Sequence, residues 1–207
     1  DHVLKFYGAE NCCDGQSHIR FKRDNGKWRH MTKPELEAVA KLQAPYKASA
    51  PSVGVCDDKT CVFDNITIGS AKERSAVFTI KKAIFVTKIV FEHKAGRIGC
   101  AGGSSGSNFG CGGSRNYIAL IITDSNKREI LPNINVKGYK KTGHNSKTQA
   151  HWYTMEGVGQ DTKQMVWDLK IPQTFMPGDY RLWYNEDITN WTESDNIGWA
   201  TYKMTMT

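Results

Sequence analysis

Short apolar runs separated by polar turns recur along most of this chain. Apolar residues at Tyr180, Leu182 and Tyr184 alternate with their neighbours in the period-two pattern of a strand. Turn signals such as Pro177-Gly178-Asp179 separate several of the runs. Further β-branched and aromatic runs occupy residues 62–63, 76–80, 84–91, 117–122, 164–169 and 199–206. This pattern predicts an all-β fold of the β-sandwich or jelly-roll-like kind.

The N-terminal part of the chain has a different pattern. The turn signal Asp24-Asn25-Gly26 predicts a hairpin. One short helix is predicted to begin at Thr32, which can act as its N-cap, and to end at Pro45. Residues 44–60 contain prolines and small residues and read as a linker. We therefore expect an N-terminal extension over residues 1–55 and a β-sandwich domain over residues 56–207.

The segment 186–196 is the strongest chemical signal in the chain. It contains four carboxylates and two amides but no lysine or arginine, although the net charge of the protein is +7. Oxygen-rich clusters of this kind suit Ca²⁺, which takes about six to eight oxygen ligands. A solvated polar loop is the alternative. The predicted ligands are Glu186, Asp187, Glu193, Asp195 and Asn196.

The six cysteines and two glycosylation sequons are typical of a secreted protein. The short spacings favour disulfides between Cys56 and Cys61 and between Cys100 and Cys111. Cys12 and Cys13 are adjacent, so strain disfavours a bond between them, and bonds to another chain would give a covalent homodimer. The sequons predict N-glycosylation at Asn65 and Asn190. The Gly-rich segment 99–114 is either a structural loop or a ligand-facing one.

Several function classes lack support in the sequence. The basic residues are scattered, and no nucleic-acid-binding motif accompanies them, so no nucleic-acid partner is expected. No apolar run approaches the ~18 residues that a transmembrane helix needs. The chain has no nucleophile elbow and no His-Glu-x-x-His motif, and its carboxylates cluster as ion ligands do. We therefore expect a binding protein rather than an enzyme.

Several motifs in the C-terminal two thirds of the chain resemble one known family. They are His-Lys-x-Gly at 93–96, the two cysteines that follow it, Leu-Trp-Tyr-x-Glu-Asp at 182–187 and Glu-x-Asp-Asn-x-Gly at 193–198. Over about residues 75–207 the chain resembles the cnidarian β-sandwich proteins that include sea-anemone galactose-binding lectins and coral skeletal organic-matrix proteins. It departs from them at 199–202, where relatives often have a basic residue and another cysteine.

The resemblance implies a calcium ion held by the acidic residues, with sugar hydroxyls completing its coordination. Beside the ion, an aromatic side chain can stack on a galactose-like ring. Candidate ligand contacts are Trp191, Tyr184 and His93, although packing in the core is the alternative for each. The predicted function is secreted, calcium-dependent binding of galactose-type glycans or glycoproteins. The alternatives are an extracellular-matrix or biomineral-associated structural protein, and a toxin or defence protein.

Overall fold

The structure of the protein is a computed structural model that divides into two units. It describes residues 51–100, 106–112, 116–144, 151–189 and 196–207, and two short strands nearer the N-terminus. The first unit is Asp1–Ala44 and the second is Pro45–Thr207. In the first unit, β1 (Arg20–Lys22) and β2 (Trp28–His30) pair antiparallel, which confirms the predicted hairpin. The helix predicted from Thr32 lies outside the described residues.

Strands dominate the second unit, as the sequence predicts. They are β3 (Ser52–Val53), β4 (Val55–Cys56), β5 (Cys61–Gly69), β6 (Ala76–Ile80), β7 (Ile84–Gly99), β8 (Leu120–Asp124), β9 (Glu129–Leu131), β10 (Tyr139–His144), β11 (His151–Met155), β12 (Gln164–Phe175), β13 (Gly178–Tyr184) and β14 (Ile197–Met206). A short 3-10 helix, η1, covers Asn185–Thr189. Strands β3 and β4 belong to this unit, and the division into residues 1–55 and 56–207 stays a prediction. Within the described part of the chain, no helix combines the length and apolar character required to cross a membrane.

Two five-stranded sheets form the body of this unit. The first sheet has the strand order β12-β7-β14-β5-β4, and the second has the order β3-β6-β13-β8-β9. All neighbouring strands pair antiparallel except β3 and β6, which are parallel. Strands β10 and β11 form a separate hairpin. The all-β class is therefore confirmed for the described residues.

The buried faces of the two sheets contribute to one hydrophobic core. In β14, Tyr202, Met204 and Met206 are buried while the residues between them are partly exposed. The ring centroids of Phe63 in β5 and Phe78 in β6 are 5.1 Å apart in an edge-to-face contact that joins the two sheets. Alternating apolar positions therefore direct one face of each sheet into a shared core, as the period-two pattern requires.

Some strands are longer than the apolar runs that predict them. The run 84–91 predicts only the first half of β7, which continues to Gly99 through a polar stretch. That second half is held mainly by backbone pairing to β14, from Ile197 opposite Gly99 to Tyr202 opposite His93. Strands β9, β10 and β11 contain too few alternating apolar residues to be predicted. In β7, backbone hydrogen bonding to a strand distant in sequence leaves no local signal.

Two connections between the sheets lie at the same end of the unit. The loop 70–75 leads from β5 in the first sheet to β6 in the second, and the segment 185–196 leads from β13 in the second sheet to β14 in the first. At this end, Gly69 pairs with Trp199 and Ala76 pairs with Leu182. The topology therefore places the two ends of the acidic segment beside the loop 70–75.

Gly198 permits β14 to approach β7 closely at this end. Its φ is 80°, and a Cβ there would clash with the carbonyl oxygen of Arg97. Gly157 offers a comparison because its φ is 71° but a Cβ there would meet no atom within 4 Å. The two glycines thus separate the cost of a left-handed backbone from the cost of a steric clash.

We expect Gly157→Ala to lower the free energy of unfolding by about 1 kcal/mol, the cost of left-handed backbone in a non-glycine residue. Gly198→Ala should lower it by roughly a further 1–3 kcal/mol because β7 must move. Denaturant titration of both variants measures the difference. Equal losses would show that β7 and β14 are not in close contact at Gly198.

Candidate functional site

The acidic segment begins in a buried helical turn. Strand β13 runs directly into η1, and the backbone N–H of Asn185 donates to the carbonyl oxygen of Ala119 at 2.7 Å. Glu186 is 7% exposed and Asp187 is fully buried. Residues 190–195, which include Asn190, Trp191, Glu193 and Asp195, lie outside the described residues. The structure therefore places the two ends of the predicted calcium-binding segment.

Asp187 binds the loop 70–75. Its Oδ1 accepts a hydrogen bond from the backbone N–H of Glu73 at 2.7 Å, and its Oδ2 accepts one from the N–H of Arg74 at 2.6 Å. Lys72 and Glu73 have φ values of 66° and 53°, and the carboxylate supports this left-handed turn. Charge-assisted hydrogen bonds to backbone amides stabilise a buried carboxylate. Asp187 is therefore a structural cap of the neighbouring loop, whatever else it binds.

Asn196 attaches the other end of the segment to the same loop. Its Nδ2 donates to the carbonyl oxygen of Ser70 at 2.7 Å. The backbone N–H of Ser70 in turn donates to the carbonyl oxygen of Gly198 at 3.3 Å. The Oδ1 of Asn196 is buried and finds no donor among the described residues. A buried amide oxygen without a hydrogen bond is costly, and a bound cation would satisfy it.

Glu186 lies beside the disulfide between Cys100 and Cys111. Its carboxylate oxygen and the two sulfur atoms are all within 4.8 Å of one another. In the portions of the chain that the structure describes, no other group of three His, Cys, Asp or Glu side chains is this close. The sulfurs are bonded to each other and offer no thiolate to a metal. Only the carboxylate of this group is therefore a suitable ligand for a hard cation.

Both predicted short-range disulfides are present, Cys56–Cys61 and Cys100–Cys111. The second belongs to the described part of the glycine-rich loop, where the backbone N–H of Cys100 donates to the carbonyl oxygen of Cys111 at 3.2 Å. The N–H of Gly112 donates to Oε1 of Gln160 at 3.0 Å. Residues 106–112 of this loop therefore have a structural role. Cys12 and Cys13 lie outside the described residues.

Tyr184 is a core residue. Its side chain is fully buried, and its hydroxyl donates to Sγ of Cys111 at 3.3 Å. A tyrosine with no exposed face cannot stack on a sugar ring in this conformation. Its position in the structure agrees with the packing alternative, and Trp191 is the remaining aromatic candidate within the segment.

His93 is half-buried at the bulge between β7 and β14. Its Nε2 donates to the carbonyl oxygen of Gly96 at 2.8 Å, and its ring packs edge-on against Phe109 and Tyr202. Burial of the ring lowers the pKa of His93 below its usual 6.5; the hydrogen bond to Gly96 opposes this shift and the charge of Arg97 adds to it. The ring is therefore neutral near pH 7, and the contacts are those of a packed histidine.

The predicted glycosylation site at Asn65 is exposed within β5. Its φ is 57°, and it lies where the pairing of β5 with β14 shifts by one residue, between Phe63 and Ile66. Asparagine tolerates this left-handed backbone better than most residues. The bulge thus presents the side chain of Asn65 to solvent.

The site also involves residues that the sequence analysis does not identify. The loop 70–75 contains no glycine or proline, so it lacks the usual turn signal. Lys127 lies in the turn between β8 and β9. Its Nζ is 3.1 Å from Oε1 of Glu73 and 3.4 Å from the carbonyl oxygen of Ile188. These residues meet the acidic segment only through folding, and no local pattern identifies them.

The chain shares its fold with a solved lectin structure. No family model and no curated protein matches the sequence. The structure matches AJLec, a lectin from the sea anemone Anthopleura japonica, with a TM-score of 0.60 and 19% sequence identity. The match covers 77% of this chain and 98% of AJLec. At this identity the likeness establishes a common fold, in agreement with the resemblance to cnidarian lectin-type proteins.

We expect Asp187→Asn to destabilise the protein even without metal. An asparagine keeps one acceptor oxygen, so one of the two backbone N–H groups of the loop 70–75 loses its partner. The expected loss in the free energy of unfolding is about 1–3 kcal/mol. Denaturant titration in the presence of a chelator measures it.

Asp161→Asn is the matched control for this substitution. Asp161 is 56% exposed and pairs with Arg97 at the surface, so its change should cost less than about 1 kcal/mol. If the Asp187→Asn variant in chelator were as stable as the unsubstituted protein, the capping role of Asp187 would be wrong.

We expect the contribution of His93 to stability to be lost as pH falls. The pKa of His93 is depressed in the folded state, so below about pH 6.5 the unfolded chain binds more protons at this position. Unfolding midpoints of the unsubstituted protein and His93→Gln, compared from about pH 7.5 to about pH 5, isolate this contribution from the other histidines. The unfolding midpoint of the His93→Gln variant should depend less steeply on pH than that of the unsubstituted protein. Parallel curves would contradict the neutral, packed state of His93.

Proposed function

We propose that this protein is a secreted lectin that binds galactose-type glycans through a calcium ion held by the acidic segment. The fold shared with AJLec supports the lectin class. We propose that the two large sheets, which contribute to one core, form a β-sandwich of the jelly-roll-like kind. The two disulfides are compatible with secretion into an oxidising environment.

One observation carries the calcium part of the proposal. The Oδ1 of Asn196 is buried without a described hydrogen-bond donor, although its Nδ2 is fixed by Ser70. An oxygen held in this way is a suitable ligand for a hard cation, as is the carboxylate of Glu186. In this proposal Glu193 and Asp195 supply further carboxylate oxygens, and Asp187 mainly supports the site through the loop 70–75.

Bound calcium would supply a Lewis acid that takes two neighbouring sugar hydroxyls as ligands. The chain itself would orient those hydroxyls, because carboxylate oxygens that face the ion also accept hydrogen bonds from them. Trp191 is the proposed aromatic contact for the apolar face of the sugar. The site binds and releases its ligand without covalent chemistry, so we propose no catalytic residue.

The proposal predicts calcium-dependent galactose binding that requires the middle of the acidic segment. Galactose affinity, measured by calorimetry or on a glycan array, should vanish with a chelator and return when calcium is restored. Glu193→Ala and Asp195→Ala should each abolish it because they remove ligand oxygens. Both variants should keep their unfolding free energy in chelator, unlike Asp187→Asn.

Asp58→Ala is the control for loss of one negative charge. The side chain of Asp58 is 83% exposed and pairs with Lys82, which is 78% exposed, so galactose affinity should not change. Absence of any calcium-dependent glycan binding in the unsubstituted protein would reject the lectin proposal. It would favour the matrix or biomineral-associated alternative.

A further inference from the structure

We infer that Lys127 is a positioning residue that holds η1, the start of the acidic segment, in the geometry needed for ligand binding. This inference rests on the proposed function and adds to it a residue from another part of the chain. Lys127 lies in the turn between β8 and β9, far in sequence from both the loop 70–75 and η1. Its ammonium group nevertheless contacts both of them.

The turn that carries Lys127 is built around Asp124. The Oδ1 of Asp124 accepts hydrogen bonds from the backbone N–H groups of Asn126 and Arg128, at 2.8 Å and 2.9 Å. Its Oδ2 accepts a hydrogen bond from Nε of Arg128 at 2.6 Å. Lys127 has a φ of 62° within this turn. The side chain of Lys127 therefore extends from a well-defined backbone.

Among the described residues, three groups lie close to the ammonium of Lys127. It lies 3.1 Å from Oε1 of Glu73, 3.4 Å from the carbonyl oxygen of Ile188 and 5.2 Å from the centre of the Trp183 ring. The Trp183 ring is itself fixed, because its Nε1 donates to Oγ1 of Thr123 at 3.0 Å. The aromatic face attracts the cation and limits the positions that the ammonium can take.

These contacts close a ring through the acidic segment. Lys127 binds the side chain of Glu73, whose backbone N–H donates to Asp187, and Asp187 precedes Ile188, whose carbonyl oxygen accepts from Lys127. The η1 helix has acidic residues in its first turn and no basic residue in its last turn. Lys127 thus supplies from another loop the cation that favours the carbonyl end of a helix.

Positioning and simple electrostatics predict opposite effects on calcium affinity. Removing a positive charge near the site should strengthen cation binding if charge alone matters. Removing a positioning contact should weaken it, because the segment must then be ordered when the ion binds. The sign of the change therefore distinguishes a positioning role from a nearby charge.

The test compares Lys127→Met with Lys127→Arg. Hydrogen exchange of the peptide containing residues 185–189 is measured in chelator, and calcium affinity is measured by calorimetry. For Lys127→Met we expect exchange about fivefold faster and calcium affinity about fivefold weaker, from the loss of one partly exposed ion pair and one cation–π contact. Lys127→Arg keeps the charge and should return both values to within about twofold of the unsubstituted protein.

Lys163→Met is the matched control, since Lys163 is an exposed lysine outside this cluster, and it should leave both values unchanged. Unchanged exchange at 185–189 in Lys127→Met, or stronger calcium binding, would overturn the inference. If the unsubstituted protein bound no calcium, the proposed function would fail, and the exchange measurement alone would decide whether Lys127 holds η1.

Discussion

The carboxylate of Asp187 joins the two chain crossings between the sheets. One crossing, the loop 70–75, leaves the first sheet for the second, and the other, 185–196, returns from the second sheet to the first. Asp187 accepts hydrogen bonds from two adjacent N–H groups of the loop. Asn196 donates to the carbonyl oxygen of Ser70, the first residue of the same loop. Parts of a fold that few contacts hold can open locally even when the core stays intact. Polar bonds between the crossings fix this end of the sheets.

This arrangement explains how a buried carboxylate is tolerated in the fold. Asp187 is fully buried, and an unpaired charge in that position would be strongly destabilising. Backbone N–H groups with left-handed residues beside them supply oriented dipoles to both of its oxygens. The same turn carries Glu73, which binds Lys127 at the surface. Backbone amides thus stabilise the buried charge of Asp187, and a partly exposed cation binds the loop that supplies those amides.

The sequence predicts the strands better than it predicts the site. Alternation identifies β6, β13 and β14 because each places every second side chain in the core. It finds only half of β7, whose polar end depends on pairing with β14. The disulfides follow from the short spacing of their cysteines.

The site is harder to predict because its interactions are long-range. The sequence identifies Asp187 as a carboxylate whose oxygen atoms could bind a cation. Its hydrogen-bond partners, however, lie at Glu73 and Arg74, more than a hundred residues earlier. Nothing local distinguishes a carboxylate that binds a cation from one that caps a loop. Composition likewise makes Tyr184 a plausible ligand contact, and only the structure shows that its side chain is fully buried. The chemical character of the segment is therefore predictable, while the division of roles within it is not.

That division has a physical consequence for ligand binding. The segment is attached to one loop near both of its ends, through Asp187 and Asn196. The entropy cost of binding falls when the ends are already held. Asp187 should then govern mainly stability, the residues between the two ends should govern affinity, and Asn196 should contribute to both through its Nδ2 and its Oδ1. In a lectin site assembled in this way, as we propose, stability and affinity depend on different positions within eleven consecutive residues, 186–196. The carboxylate of Asp187 and the amide of Asn196 hold the ends of the segment before any cation binds.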